Sequence, residues 1–208
     1  MIDRPFEFAG LPESARLIVN RLKTAGHEAY FVGGCVRDLY RGIVPQDYDI
    51  VTSAHPDEVC SLFTHTVPVG ISFGVVLVIE KGQKYEVATF RTETGYLDGR
   101  RPTQVTFATA EEDVRRRDFT INGLLFDPEK GRLIDYVGGC ADIEMRIVRT
   151  IGDPERRFAE DHLRMLRAVR FAANLGYDLD PDALIAIKDH AIDINRISAE
   201  RIRDELTK

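Results

Sequence analysis

The chain has 208 residues, 44% of them hydrophobic, which is enough for a core in one compact domain with a smaller unit beside it and excludes a disordered chain. A formal charge of −6 argues against indiscriminate nucleic-acid binding, and the longest apolar run, Val75 to Ile79, is far too short to cross a bilayer. No charged and apolar leader opens the chain, and Cys35, Cys60 and Cys140 make neither a disulfide framework nor a zinc knuckle, so it reads as cytosolic with reduced, structural thiols.

From the N-terminus, Glu13 to Ala25 is an amphipathic helical segment closed by Gly26. The run "AYFV" predicts a strand, and Gly33 and Gly34 a tight turn into the helix "CVRDLYRG", with backbone N–H groups free to hold phosphate. "QDYDIVT" follows. Residues two apart in an extended strand project to one side, so Asp47 and Asp49 can share a divalent cation while Tyr48 faces away. Alone, such a pair is more often a turn or a surface site. "GVVLVIE" and "KYEVATF" predict a hairpin turned at Gly82, with Glu86 a candidate third carboxylate placed mid-strand between core-facing neighbours, where a charge without a partner is costly. The polar stretch Glu93 to Pro102 predicts a mobile loop before the short strand "VTF".

Thr109 and Glu112 fit a capping box, and the helix is expected to continue through "RRRDFTING" before "LLFD" returns to strand. That places Arg116, Arg117, Asp118 and Asn122 within two helical turns, with cations for phosphate and amide or carboxylate groups for ribose hydroxyls. A solvated charged face is the bland alternative. Asp153 and Pro154 predict the start of one long helix to about Asn174, stopped at Gly176, with Phe158, Met165, Val169, Ala172 and Ala173 on one side and Glu160, Arg164 and Arg167 opposite. On that helix Asp161 and Arg164 are surface neighbours able to read the edge of a base, or, with Glu160 and Arg167, members of a salt-bridge ladder. Further helices begin near Pro181 and Ser198. These assignments divide the chain into residues 1–150, mixed in structure, and 151–208, all helical, and the end at the helical "SAERIRDEL" reads as a stop inside a longer protein.

Taken in order, "GGCVRDLYRG…QDYDIVTSA", "VGISFGVVLV", "YEVATFRTE", "RRDFTIN", "DYVGGCADI" and "FAEDHLRMLRAVRFAA" resemble the motif series of the class II tRNA nucleotidyltransferases, the CCA-adding and bacterial poly(A) polymerase family of the polymerase β superfamily. The resemblance runs from about Ala29 to Leu206. It implies an α+β fold, with a polymerase β-like nucleotidyltransferase head built on a small mixed sheet with flanking helices and a helical neck behind it. It implies two Mg²⁺ ions, with Asp47 and Asp49 as metal ligands and Glu86 beside them as catalytic carboxylates. Gly33, Gly34 and Arg37 would contact triphosphate, and Arg116, Arg117, Asp118 and Asn122 the ribose side of the nucleotide. Asp161 and Arg164, with Glu160 and Arg167, would act as a protein template for CTP and ATP. "DYVGG" would lie near the hinge, and the loop carrying Asp98, Arg100 and Arg101 would match the flexible loop associated with the change from C to A addition. Gly123 stands where alanine is usual, and its extra backbone freedom is expected to matter little.

The expected function is template-independent addition of CMP and AMP to the 3′ end of tRNA with release of pyrophosphate, which makes tRNA, CTP and ATP the partners and assigns no membrane and no oligomeric state. An A-adding enzyme or a poly(A) polymerase shares these motifs, although "VGISFGVV" looks more like the tRNA type. "DYDIV" also fits the DxDxV pattern of aspartyl-phosphate phosphatases, a reading that leaves Gly33, Gly34, Glu86, Asp161 and Arg164 without roles. A non-catalytic nucleotide-binding module is the third possibility.

Overall fold

The computed structural model describes residues 2–6, 8, 10–70, 73–96 and 102–207, with the side chains of Gly70, 93–96 and 102–104 excepted. Its frame is an eight-stranded sheet in the order β1-β10-β9-β2-β3-β6-β5-β4, formed by β1 (Ile2–Pro5), β2 (Ala29–Val32), β3 (Asp49–Thr52), β4 (Thr66–Gly70), β5 (Val75–Glu80), β6 (Gln83–Thr89), β9 (Leu124–Asp127) and β10 (Arg132–Asp135). Neighbours are antiparallel except β3 and β6, which run parallel with Ile50 opposite Val87. The sheet is mixed, as expected, but larger than the small one anticipated. Three strands of the sheet were not read from sequence, β1, β4 and β10; β1 and β4 are the two edges, and each carries a proline (Pro5, Pro68) of the kind only an edge tolerates.

One face of the sheet presents Phe31, Ile50, Val76, Val78, Tyr85, Val87, Leu124 and Phe126 to the main core. Helix α1 (Glu13–Thr24) covers it with Ala15, Ile18, Val19 and Leu22, the i, i+3, i+4, i+7 stripe that makes this segment helical. Each fully buried Ile, Val or Leu there contributes roughly 1.5–3 kcal/mol. The opposite face, with Val32, Val51 and Leu125, packs against Ala110 and Val114 of α4 (Ala110–Arg115). The hairpin at Gly82 is present, as is the capping box at Thr109 and Glu112.

Three expected elements differ. The described ends of the stretch assigned to a loop are strand, in an antiparallel pair of β7 (Arg91–Tyr96) with β8 (Pro102–Phe107), where Glu93 pairs with Val105; Asp98, Arg100 and Arg101 lie outside the described residues. Helix α4 does not run through "RRRDFTING". It stops at Arg115, Phe119 turns extended to bridge Thr150, and a 3-10 turn spans Thr120–Asn122. The long helix is two: α6 (Pro154–Glu160) and α7 (Leu163–Leu175), the second ended by left-handed Gly176. Asp161 breaks it, because its carboxylate takes the Leu163 N–H at 3.1 Å and competes with the helical ladder. The break changes the phase, so Val169 is exposed while Leu163, Arg164, Met165 and Ala168 are buried.

Helix α5 (Gly139–Met145) begins where the Asp135 carboxylate accepts the N–H groups of Val137, Gly138, Gly139 and Cys140. A short parallel pair, β11 (Ile147–Val148) with β12 (Asp178–Leu179), ties this region to the helices, which continue as α8 (Pro181–His190) and α9 (Ala199–Leu206). Among the described residues no helix is long and apolar enough to cross a membrane.

Space, not backbone freedom, is what bears on two glycines beside the 3-10 turn. Gly123 has φ −94°, open to any residue, and a Cβ there would meet Val137 Cγ2 at 2.6 Å, the end of a side chain that would have to turn aside. At Gly139 a Cβ would stand 2.2 Å from the backbone oxygen of Thr120, which cannot rotate away. Gly139→Ala is therefore expected to cost about 3 kcal/mol, the upper end for overpacking, read as a fall in the urea midpoint with unchanged m value. A midpoint equal to that of the unmodified protein would refute it.

Candidate functional site

The turn at Gly33 is the first part. Its φ of +77° and ψ of −136° belong to glycine, and they swing the chain from β2 straight into α2 (Gly34–Tyr40). A Cβ on Gly33 would lie 3.7 Å from Arg117 Nη1 and 3.9 Å from Asp49 Oδ2, so the turn, the acidic strand and the segment after α4 meet at one point.

Tyr48 is buried, with its ring edge-on to Phe31, while Asp47 and Asp49 are exposed on the other side, as the alternation requires. Asp47 precedes β3 and Asp49 is its first residue. The pairing of Ile50 with Val87 puts Glu86 alongside Asp49 on the next strand. Glu86 is exposed, so the penalty expected for a carboxylate between core residues does not arise: Tyr85 and Val87 point inward and Glu86 points out.

The Asp49 carboxylate touches solvent at the mouth of a recess whose walls crowd it. That enclosure, then the charge of Glu86 and, more weakly, of Asp47 push it up to about 6, against the pull of Arg117. Acceptor oxygens that repel one another and open to solvent are the donor set a hard divalent cation takes. Among the described residues no three His, Cys, Asp or Glu side chains are gathered closely enough to hold a metal ion by themselves, so the fit rests on Asp47 and Asp49 with Glu86 nearby. A cleft of about 460 Å³ runs beside them, lined by Gly34, Arg37, Asp38, Asp47, Asp49 and Arg170 among others.

Behind the cleft a polar chain joins α2 to α7 and α9. Arg37 is buried, donating to Asp38 and, at 2.7 Å, to Asn122 Oδ1. Asn122 Nδ2 donates to Asp118 at 3.2 Å, and the other Asp118 oxygen takes both Nε and Nη2 of Arg167 at 2.9 and 2.5 Å. Burial alone would raise the Asp118 carboxyl, but Arg167 and the hydrogen bonds from Asn122 and the Phe119 N–H outweigh it and hold it below the usual range. Arg167 reaches Glu205 at 3.6 Å, and Glu205 takes Arg170 Nε at 2.6 Å.

Of the residues expected from sequence, Gly33, Gly34, Arg37, Asp47 and Asp49 sit around one cleft and its turn, with Arg117 and Glu86 adjoining. Asp118, Asn122 and Arg167 join in the chain behind it. Arg116 turns instead to Asp113, which also binds Arg117. Asp161 and Arg164 do not face each other as helix neighbours: Asp161 pairs with Arg201 at 3.3 Å, and buried Arg164 donates to the Arg157 carbonyl and to Glu160.

Sequence reasoning missed the roles of four groups. Arg157 holds the carbonyls of Arg116 and Arg117 at 2.5 Å and so closes the end of α4, while Asp113 anchors two arginines. Arg170 belongs to the three-residue spacing Arg164, Arg167, Arg170, a signal open to reading. Glu205 comes from 35 residues away and had none.

The family model of the poly A polymerase head domain matches residues 29–149, and one described as a probable RNA and SrmB-binding site of polymerase A matches 176–208. The CCA-adding enzyme of Limosilactobacillus fermentum is 46% identical over 205 residues, 98% of this chain and 50% of that protein. The one from Lactiplantibacillus plantarum is 49% identical over 205 residues, covering 98% and 49%. A crystal structure of the Bacillus stearothermophilus CCA-adding enzyme in complex with CTP has a TM-score of 0.85 at 46% identity, over 93% of this chain and 47% of that one. The Thermotoga maritima CCA-adding enzyme complexed with tRNA has a TM-score of 0.81 at 26% identity, over 99% and 50%. The chain spans about half the length of the curated relatives it matches.

Proposed function

Because the chain belongs to the family of CCA-adding enzymes and bacterial poly(A) polymerases, we propose that it carries the catalytic part of a nucleotidyltransferase that adds CMP and AMP from CTP and ATP to the 3′ end of tRNA. The observation that carries this reading is the meeting of Gly33, Asp49 and Arg117 beside a cleft that Asp47 also lines. Residues 1–150 then form the catalytic head and 151–208 the neck.

Asp47 and Asp49, assisted by Glu86, would hold Mg²⁺, which supplies charge neutralisation for the attacking hydroxyl and the triphosphate in an in-line displacement. The chain's own contribution is positioning. Gly33 lets backbone approach the phosphates, Arg117 brings a cation to the same point, and Arg37 holds Asn122 in place for the ribose side. Arg164 is satisfied by Glu160 and the Arg157 carbonyl, so reading a base requires it to exchange Glu160 for that base, with Asp161 held ready by Arg201.

The test is incorporation of labelled CTP and ATP into tRNAs ending before CCA, after C and after CC, with pyrophosphate measured, using this chain beside a C-terminally extended form. Addition of C, C and A is expected. Addition to the CC-ending tRNA alone would make it an A-adding enzyme, long A tails would favour poly(A) synthesis, and inorganic phosphate from CTP would favour the phosphatase reading. Removing divalent ions with EDTA is expected to stop incorporation, and Mg²⁺ to restore it. Undiminished activity in EDTA would refute the metal assignment.

A further inference from the structure

Asp113 is 1% exposed, on α4 beside Val114 of the sheet-facing cluster, and has no part in the chemistry argued so far. A carboxylate buried there is costly unless it is fully partnered. Its Oδ1 takes the Arg91 N–H at the start of β7 at 3.2 Å, with Nε and Nη2 of Arg116 at 3.0 and 2.7 Å. Its Oδ2 takes Nε and Nη2 of Arg117 at 3.3 and 2.9 Å. Burial alone would raise the carboxyl, but Arg117 and then Arg116 outweigh it and hold it below the usual range. The Arg91 amide and Arg116 pin Oδ1, so the group that Arg117 grips does not turn.

Arg117 lies past the end of α4. Its N–H still reaches the Val114 carbonyl at 3.0 Å, and its own carbonyl is held by Arg157 at 2.5 Å, so the backbone is set from two sides. A guanidinium is planar, and one held along its Nε and Nη2 edge has no freedom left in its third nitrogen. That nitrogen, Nη1, stands 3.7 Å from where a Cβ on Gly33 would lie, and the charge reaches Asp49. We infer that Asp113 is a positioning residue for nucleotidyl transfer: by gripping one edge of Arg117 it delivers Nη1 to the point where the triphosphate meets Asp49. The inference rests on the transferase reading of the cleft and deepens it.

The experiment is a double-mutant cycle of Asp113→Asn and Arg117→Ala, read by equilibrium binding of CTP to the chain and by single-turnover incorporation in the extended enzyme, with thermal melting beside it. Asp113→Asn should weaken CTP binding about 10-fold. It should slow incorporation about 10- to 100-fold, as a misplaced group does. In the Arg117→Ala background it should change neither further, because the group it aims is gone. Asp113→Glu keeps the charge at a different reach and should fall between, and it serves if the asparagine variant does not fold. A merely structural role would lower the folded fraction by the same factor in both backgrounds and leave the CTP dissociation constant of the folded protein unmoved. That result would overturn the assignment. If the CTP cycle is non-additive but no form of the protein releases pyrophosphate with tRNA, the positioning of Arg117 stands and the transferase reading falls. Pyrophosphate release with an additive cycle would do the reverse.

Discussion

Asp49→Asn is expected to lower nucleotide incorporation by about 1,000-fold or more, equivalent to roughly 4 kcal/mol of transition-state stabilisation. The amide keeps the size of the side chain and removes a charge from the point where Gly33, Arg117 and the acidic strand meet. The same substitution should leave the metal-free fold intact and raise its melting temperature, because Asp49 is repelled by Glu86 and Asp47 and crowded by the cleft wall. Its carboxyl is raised in the folded state to about 6, against about 3.9 in the unfolded chain, so between those values the folded state binds more protons. The destabilisation from Asp49 is therefore full above pH 6 and is relieved as the pH falls through that value. Two readouts check the argument: single-turnover incorporation, and melting of the metal-free protein at pH 5.5 and 7.5. A variant that keeps a tenth of the activity would remove Asp49 from the catalytic role, and a lower melting temperature at pH 7.5 would contradict the repulsion.

The second large effect is on stability. Asp118→Ala should cost about 3 kcal/mol, lowering the melting temperature by roughly 6–12 °C, because Arg167 and Asn122 lose their shared acceptor. The Asp118 side chain is 12% exposed and that of Arg167 29%, so solvent replaces only part of the lost partnership. Asp118 is depressed in the folded state, and the sign is opposite to that of Asp49. Its stabilisation is complete above the unfolded value of about 3.9 and is lost as the pH falls through the lower folded value. Asp118→Asn, which keeps the shape, should lose less stability and show a flatter acid limb. Nucleotide binding should weaken in both variants, since Arg37 and Asn122 are held through the same chain. Equal melting of Asp118→Ala and the unmodified protein would show that the chain does not hold α7 against the sheet.

Much of the site was legible without coordinates because it is local. Alternation around Tyr48 decides which way Asp47 and Asp49 point, a double glycine after an apolar strand decides the turn, and Thr109 with Glu112 decides where α4 starts. Helix ends inside charged segments were not legible. "RRRDFTING" and "FAEDHLR" have helical composition throughout, yet α4 stops because Phe119 is taken by Thr150 and because Arg157 binds the carbonyls of Arg116 and Arg117. The second helix breaks because Asp161 binds the Leu163 N–H.

The acidic strand, the glycine turn, the β5/β6 hairpin and the family can all be read from the chain alone, because each is carried by spacings of a few residues. Long-range packing had to supply the facing of Glu86 and Asp49, the strand pairing of residues 93–96 with 102–105, and the convergence of Arg167 and Arg170 on Glu205. Those contacts join residues brought together by sheet register and helix packing, and the energy that selects them lies in the burial and pairing of charges from distant segments, which no local pattern encodes.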